Sequence, residues 1–154
     1  MSIASVIADR RKIELVSKIL VKDLMSTNVN VFKNESTALE VVKAMSDCDV
    51  DFVIVVQSGK PTGIITERDV IVRMLTQELE PSVVIARAIY TNPLVTIEET
   101  ATVEEAAQLM KDWKIKHLPV TSNGKIAGML NYLDIAFNVP ELFSAMKELY
   151  HPSK

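Results

Sequence analysis

The sequence of 154 residues contains a single cysteine, Cys48, so the chain cannot form an intramolecular disulfide. A lone thiol is typical of proteins from a reducing compartment. The longest apolar runs, such as FVIVV at residues 52–56, are far shorter than the roughly 20 residues that a membrane-spanning helix needs. The first residues also lack the basic-then-apolar order of a signal peptide. We therefore expect a cytoplasmic protein that does not enter a membrane.

Basic residues and histidines are also scarce. Lys and Arg number 17 against 20 Asp and Glu, which gives a net charge of −3. Proteins that bind nucleic acids usually present a basic face to the phosphates, so we expect no nucleic-acid partner. His117 and His151 have no Cys or His partner at ligand spacing, and no metal site is predicted. The nucleophile motif G-x-S-x-G of many hydrolases is missing as well.

The chain does contain an internal repeat. When the sequence is shifted by 65 residues against itself, residues 23–70 align with residues 88–135 without a gap, with nine identities in 48 positions. The identical residues occupy cap, core and turn positions in the same order. The motif GIITERD at residues 63–69 thus has a degenerate copy, GMLNYLD, at residues 128–134. We interpret the chain as two copies of one structural unit.

Each copy predicts the same series of elements. A short extended segment, residues 28–32 or 93–97, precedes a Thr-x-x-Glu capping box, Thr37 with Glu40 or Thr102 with Glu105. The helices that follow carry apolar residues at helical spacing. These predicted core residues are Ala38, Val41, Val42 and Met45 in the first copy, and Val103, Ala106, Ala107 and Met110 in the second.

A β-hairpin and a second, short helix complete each copy. The β-branched run at residues 51–56 and its counterpart at 116–120 precede a glycine-containing turn. Residues 63–66 and 128–131 form the return strand, which leads directly into the helix. Each copy is therefore a β-α-β-β-α unit of about 50 residues, and we expect the two copies to share a core because one alone buries little surface.

The remaining segments flank or connect the repeats. Apolar spacing predicts a helix within residues 1–20, and Pro140 opens a second predicted helix within residues 139–154. Residues 76–84 are the predicted connector. The expected organisation is an N-terminal helix at 1–20, a first domain at 21–76, a linker and second domain at 77–138, and a C-terminal helix and tail at 139–154.

The order of these motifs resembles the cystathionine-β-synthase (CBS) domain, and the tandem resembles a Bateman module. The resemblance rests on VKDLM at residues 21–25, a capped helix, an apolar strand, G-K-x-x-G and GIITERD, and it covers roughly residues 10–138. The final motif of the family is a glycine, an apolar residue, any residue, Thr or Ser, any two residues and Asp, and the first copy matches it fully at residues 63–69. The second copy departs from it, because Asn131 stands where Thr or Ser is usual.

The resemblance implies a fold and a function. The fold is α+β, with two β-α-β-β-α repeats related by a pseudo-two-fold axis and two clefts between them. Such clefts commonly bind AMP, ADP, ATP or S-adenosylmethionine, and the modules are regulatory, non-catalytic and often dimeric. We therefore expect a nucleotide-sensing homodimer that acts on another protein, requires no cofactor and is not an enzyme. A ligand-free dimerisation or docking scaffold, an S-adenosylmethionine binder, and an enzyme using His117 as its base are the alternatives.

The motif at residues 63–69, with its copy at 128–134, has two interpretations, as a ligand-binding site or as a helix cap. A carboxylate such as Asp69 or Asp134 matches the vicinal diol of a ribose, and a hydroxyl at a helix start such as Thr66 suits a phosphate. The same spacing also describes a plain helix cap, with Thr66 or Asn131 at the N-cap and the aspartate in the first turn. The two interpretations are compatible, since the free N–H groups of a helix start are what bind phosphate.

The family pattern, carried over position by position, implies two binding clefts. Each combines the Thr/Asp motif of one copy with the strand starts of the other. The first cleft would contain Thr66, Arg68, Asp69, Tyr90, Thr91, Pro93, Lys116, His117, Leu118 and Pro119. The second, weaker cleft would contain Met25, Thr27, Asn28, Asp51, Phe52, Val53, Asn131 and Asp134.

The expected clefts differ in charge. The first would bring Lys116 and His117 to the phosphate, and the second would bring Asp51, whose like charge disfavours an anion. We therefore hypothesise that the first cleft binds a phosphorylated adenosine and that the second is weak, empty or takes a less anionic ligand. His117 is either a packing residue or a phosphate neighbour, and Trp113 is either a core or dimer-interface anchor or a stacking surface for adenine.

Overall fold

The computed structural model describes residues 2–142, except for the side chains of residues 5–9 and 13. These residues form two compact units. The first-repeat unit contains residues 28–95 and 123–126, and the second-repeat unit contains the described residues up to 27, residues 96–122 and those from 127 onward. The segment that precedes each repeat therefore packs with the other repeat, and the compact units do not follow the linear order of the sequence.

Short helices and strands alternate along the described chain, and none of the helices within residues 2–142 is long and apolar enough to cross a bilayer. A π-helix spans Val70–Leu75, and 3-10 helices span Ala86–Ala88 and Pro140–Leu142. The other elements are α1 (Ile3–Val16), α2 (Val21–Leu24), β1 (Val31–Lys33), α3 (Ala38–Asp47), β2 (Phe52–Gln57), β3 (Lys60–Thr66), α4 (Glu67–Asp69), β4 (Ile97–Glu98), α5 (Val103–Trp113), β5 (His117–Ser122), β6 (Lys125–Asn131) and α6 (Tyr132–Asn138).

The two sheets confirm the predicted repeat. One has the strand order β1-β2-β3 and the other β4-β5-β6. Strands β1 and β2 run parallel with Phe32 opposite Val55, while β4 and β5 run parallel with Ile97 opposite Val120. Both residues of the second pair lie 65 positions after those of the first, so the copies share strand register as well as sequence.

The capping boxes and buried helix faces predicted from the sequence are confirmed. The Thr37 hydroxyl accepts a hydrogen bond from Glu40 N at 3.2 Å, and the Thr102 hydroxyl accepts one from Glu105 N at 3.1 Å. Seven of the eight predicted core residues are buried, and the eighth, Val42, packs partly buried against the core. Burying a valine- or leucine-sized side chain contributes about 1.5–3 kcal/mol, so these faces hold the helices to their sheets.

Some elements differ from the expected bounds. Helix α1 ends at Val16, four residues before the expected end at residue 20. Leu20 has an extended backbone, and its N–H donates to Asp23 Oδ2 at the start of α2. Strand β4 begins only at Ile97, four residues later than the predicted extended segment. Of the predicted C-terminal helix, only the 3-10 turn from Pro140 belongs to the described residues.

The expectation that Trp113 anchors the core is wrong, because its side chain is 56% exposed. Helix α5 ends at this residue, and Lys114 takes a left-handed conformation with φ of 53°. Trp113 is thus the last residue of α5, and its roles as an interface anchor or a stacking surface for adenine stay predictions.

Candidate functional site

The return strand of the first repeat ends in a closed hydrogen-bonded turn. Thr66 is the N-cap of α4, and its backbone N and hydroxyl donate to Asp69 Oδ2 at 2.9 and 3.1 Å. Asp69 N in turn donates to the Thr66 hydroxyl at 3.4 Å. The helix-cap interpretation of this motif is therefore confirmed, and it fixes the carboxylate at the junction between hairpin and helix.

The segment before the second repeat completes this junction. Thr91 and Ile64 form an isolated antiparallel bridge, with N–O distances of 2.8 and 3.1 Å. The bridge places the Thr91 hydroxyl against the carboxylate, where it donates to Asp69 Oδ1 at 2.8 Å. The ring of Tyr90 lies directly over Gly63, in the space that a Cβ would occupy. Thr66, Asp69, Tyr90 and Thr91, which were expected together, thus do meet in the first-repeat unit.

Arg73 belongs to the same cluster, although the sequence interpretation did not include it. Its Nε lies 3.2 Å from Asp69 Oδ1, and its Nη1 donates to the Tyr90 carbonyl at 3.2 Å. The i,i+4 spacing from Asp69 is the sequence signal that could have identified it. Asp69, only 7% exposed, thus accepts three hydrogen bonds and pairs with one guanidinium, which together occupy about the four acceptor positions of a carboxylate.

Other expected site residues occupy the edges of this unit. Arg68 and Pro93 are exposed, as are Asn28 and Asp51. The carbonyl of Asp51 accepts a hydrogen bond from Glu67 N at 3.1 Å, at the start of α4. Two further residues expected in the second cleft, Phe52 and Val53, are buried in β2, where Phe52 pairs with Thr66.

The second repeat builds an equivalent but looser junction. Asn131 is the N-cap of α6, its side-chain oxygen accepts from Leu133 N at 3.3 Å, and its backbone N donates to Asp134 Oδ2 at 3.0 Å. Ser26 and Met129 exchange backbone hydrogen bonds of 2.9 and 2.8 Å. These positions correspond to Thr91 and Ile64 in the first repeat. In both cases the segment that precedes one repeat pairs with the return strand of the other repeat, and we call it the exchanged segment.

Met25 packs at this second junction, while Thr27 is exposed. A Cβ on Gly128 would lie 2.8 Å from the Met25 sulfur, much as one on Gly63 would meet Tyr90. Each motif glycine is therefore required by the close approach of the exchanged segment.

The basic side chains expected near a phosphate belong to the second-repeat unit. The Lys116 carbonyl accepts from Tyr132 N at 3.0 Å, and its Nζ lies 5.6 Å from the centre of the Tyr132 ring. His117 is partly buried at the start of β5, and Leu118 and Pro119 follow it as fully buried residues. Thr66 and Asp69, with which these four residues were expected to form one cleft, belong to the first-repeat unit.

Reactive and metal-binding groups are few among the described residues. Cys48 is exposed and its thiol is free. Within the described part of the chain, no cluster of three or more His, Cys, Asp or Glu residues could hold a metal ion. What the two junctions offer is a carboxylate, a polar helix start and an adjoining backbone edge.

A sequence model of the CBS domain matches residues 21–76 and residues 86–141. The chain therefore belongs to the CBS domain family, as two tandem domains. Solved structures agree: the conserved CBS domain protein TA0289 from Thermoplasma acidophilum superimposes with a TM-score of 0.78 at 17% identity, covering 88% of this chain and 78% of that one.

Related sequences come from several organisms. The uncharacterized protein MK0525 of Methanopyrus kandleri is 38% identical over 114 residues, which cover 73% of this chain and 58% of that protein. The CBS domain-containing protein YhcV of Bacillus subtilis is 29% identical over 118 residues, covering 77% of this chain and 84% of that protein. The chain spans 58% and 66% of the length of its relatives from Methanopyrus kandleri and Methanocaldococcus jannaschii.

Proposed function

We propose that this CBS pair is a non-catalytic regulatory module that binds an adenosine-containing ligand, with AMP, ADP or ATP as the leading candidates and S-adenosylmethionine as a further one. The observation that carries the proposal is the repeated junction, where Asp69 and Asp134 are fixed beside a capped helix start and an exchanged segment. A carboxylate at such a junction can accept both hydroxyls of a ribose when its acceptor positions are not occupied by protein donors. The backbone N–H groups of Thr66, Glu67 and Asp69 already donate within the protein, so the partial positive charge of the helix start is what favours the phosphate.

The ligand-free scaffold remains the second candidate, for a specific reason. Asp69 already accepts three hydrogen bonds and forms an ion pair with Arg73, so the first repeat has a carboxylate that is satisfied without any ligand. A protein whose repeats served only to dock a partner would have this property in both copies. The second repeat, where Asp134 has fewer bonds, favours the ligand-binding proposal instead.

We also propose that the protein forms homodimers through its helices. Trp113 and Phe137 are 56% and 78% exposed on α5 and α6, two helices that contact each other. Ile71, Val72 and Leu75 are similarly exposed on the π-helix of the first repeat. Exposed apolar side chains concentrated on a few helices are typical of interaction surfaces. A CBS-CP12 protein from cyanobacteria with the same fold is described as hexameric.

Thermal unfolding and calorimetry test the ligand proposal. AMP, ADP, ATP and S-adenosylmethionine are each added to the purified chain, with GTP as a control that keeps the ribose and triphosphate but changes the base. A ligand at 100 times its Kd stabilises the native state by about 2.7 kcal/mol, which raises the unfolding midpoint measurably. An unchanged midpoint with every adenosine compound at millimolar concentration would favour the scaffold.

Substitution of the two aspartates locates the sites. Asp69→Asn and Asp134→Asn each remove one carboxylate with little change in shape. Asp47→Asn is the matched control, because Asp47 is an exposed aspartate at the end of α3. The proposal requires that at least one junction variant loses calorimetric binding while the control retains it.

A further inference from the structure

The two repeats place different groups beside their equivalent aspartates. Arg73 follows Asp69 by four residues, and its counterpart 65 positions later is Asn138. Arg73 Nε pairs with the Asp69 carboxylate at 3.2 Å. Asn138 Nδ2 instead donates to the backbone carbonyl of Asp134, at 2.7 Å, and does not touch the carboxylate.

The two carboxylates consequently differ in free acceptor capacity. At Asp69, Oδ2 accepts two bonds from Thr66, and Oδ1 accepts from Thr91 and Arg73. At Asp134, the hydrogen bond that the structure places on the carboxylate within residues 2–142 comes from Asn131 N to Oδ2. Among the side chains that the structure describes, none donates to Asp134 Oδ1, whereas both Asp69 oxygens are engaged.

Arg73 does more than pair with the carboxylate. Its Nη1 also donates to the carbonyl of Tyr90, the neighbour of Thr91. The guanidinium of Arg73 therefore links the helix that carries Asp69 to the exchanged segment. That segment also carries Thr91, whose hydroxyl occupies an acceptor position that a ribose would need. Its side chain is 48% exposed and the Asp69 side chain 10%, so the arginine covers the solvent side of a nearly buried acceptor.

We propose that Arg73 restricts diol binding at Asp69, so that the Asp134 repeat takes the first molecule of ligand. The inference rests on the proposed function, since it concerns which carboxylate binds the ribose hydroxyls. A vicinal diol needs two acceptor positions. Asp134 offers them because no described side chain donates to its Oδ1, while Asp69 offers them only after Arg73, Thr91 or both have released it. Arg73 is thus a specificity-determining residue of the first repeat.

This order of occupancy is the reverse of the one hypothesised from charge alone. Lys116 and His117 were expected to favour phosphate beside Asp69, and Asp51 to disfavour it beside Asp134. The two arguments concern different parts of the ligand, the phosphate and the sugar, so a measurement of which site fills first distinguishes them.

The decisive experiment isolates the Asp69 site. In the Asp134→Asn background, AMP is titrated by calorimetry into the chain with and without Arg73→Ala, with Arg73→Gln as a milder variant. We expect AMP to bind roughly 1.5- to fivefold more tightly once the arginine is removed, the range for relieving a partly exposed ion pair. Asn138→Ala in the same background is the position-matched control and leaves the affinity unchanged.

The other outcomes overturn either the restricting role of Arg73 or the proposed function. AMP binding in wild type together with an unchanged or weaker affinity in Arg73→Ala overturns the restricting role and leaves the proposed function standing. Weaker binding would mean that the guanidinium contacts the ligand directly. Absence of AMP binding in wild type and in every variant overturns the proposed function for this ligand and the inference with it. Unfolding midpoints measured for each variant show that the protein compared is folded.

Discussion

The ring of Tyr90 lies over the Cα of Gly63, where a Cβ would overlap Tyr90 Cδ2. Gly63→Ala should therefore destabilise the protein by about 1–3 kcal/mol, the cost of forcing an extra carbon into a packed site. Urea unfolding followed by circular dichroism measures the loss. Tyr90→Met should recover part of it, since methionine is flexible and already occupies the equivalent position 25 in the other repeat. An equal loss in both backgrounds would show that the ring is not the obstacle.

Gly128→Ala should behave differently from Gly63→Ala. A Cβ on Gly128 would lie 2.6 Å from the backbone oxygen of Ser26 as well as 2.8 Å from the Met25 sulfur. Trimming the side chain by Met25→Ala leaves the backbone contact in place. We therefore expect Gly128→Ala to cost about 1–3 kcal/mol whether or not Met25 is shortened. Full rescue by Met25→Ala in urea unfolding would contradict this account.

The two aspartates should also differ in their contribution to stability. Asp69→Ala removes the acceptor for Thr66, Thr91 and Arg73 at a nearly buried position, and leaving such donors unpaired costs about 1–3 kcal/mol. Asp134→Ala removes one hydrogen bond at a half-buried helix start, a change worth about 1 kcal/mol or less. Urea unfolding without ligand should give the larger loss for Asp69→Ala. Equal losses would mean that the additional partners of Asp69 contribute nothing.

Phe137, 78% exposed on α6, should matter for self-association rather than folding. If the helices form a homodimer interface, Phe137→Ser shifts the sedimentation coefficient toward that of the monomer at a concentration where wild type is dimeric, while the unfolding curve in urea changes little. Val83→Ser is a suitable control, because Val83 is 76% exposed in a turn outside the helices. A dimer that survives Phe137→Ser would place the interface elsewhere.

Much of the fold was predictable because its signals are local. Capping boxes at Thr37 and Thr102, the apolar helix faces and the glycine turns each lie within a few residues, and the 65-residue offset relates the capped helix and the hairpin of one copy to those of the other. The exchanged segments were harder to predict in detail, since nothing local links Thr91 to Asp69, 22 residues away. The identical glycines at 63 and 128, each inside a strand, are the sequence trace of that close approach.

The candidate site was predictable as a motif but not as a hydrogen-bond network. Thr66, Asp69, Tyr90 and Thr91 meet as the family pattern implied. Arg73 did not stand out, because an arginine four residues after an aspartate is common on helix surfaces and signals only a weak ion pair. Its importance depends on the burial of Asp69, which follows from tertiary packing rather than from spacing.

The exchange of segments has a consequence for biosynthesis. Val21 N donates to the carbonyl of Ala101, and Ser26 pairs with Met129, so the second-repeat unit closes only when its last strand has been made. During translation the segment at residues 20–26 leaves the ribosome long before its partners exist. The first-repeat unit needs only residues 123–126 beyond Val95, so most of it can form first. The N-terminal segment meanwhile waits for partners that lie 80 and 103 residues further along the chain, Ala101 for Val21 and Met129 for Ser26.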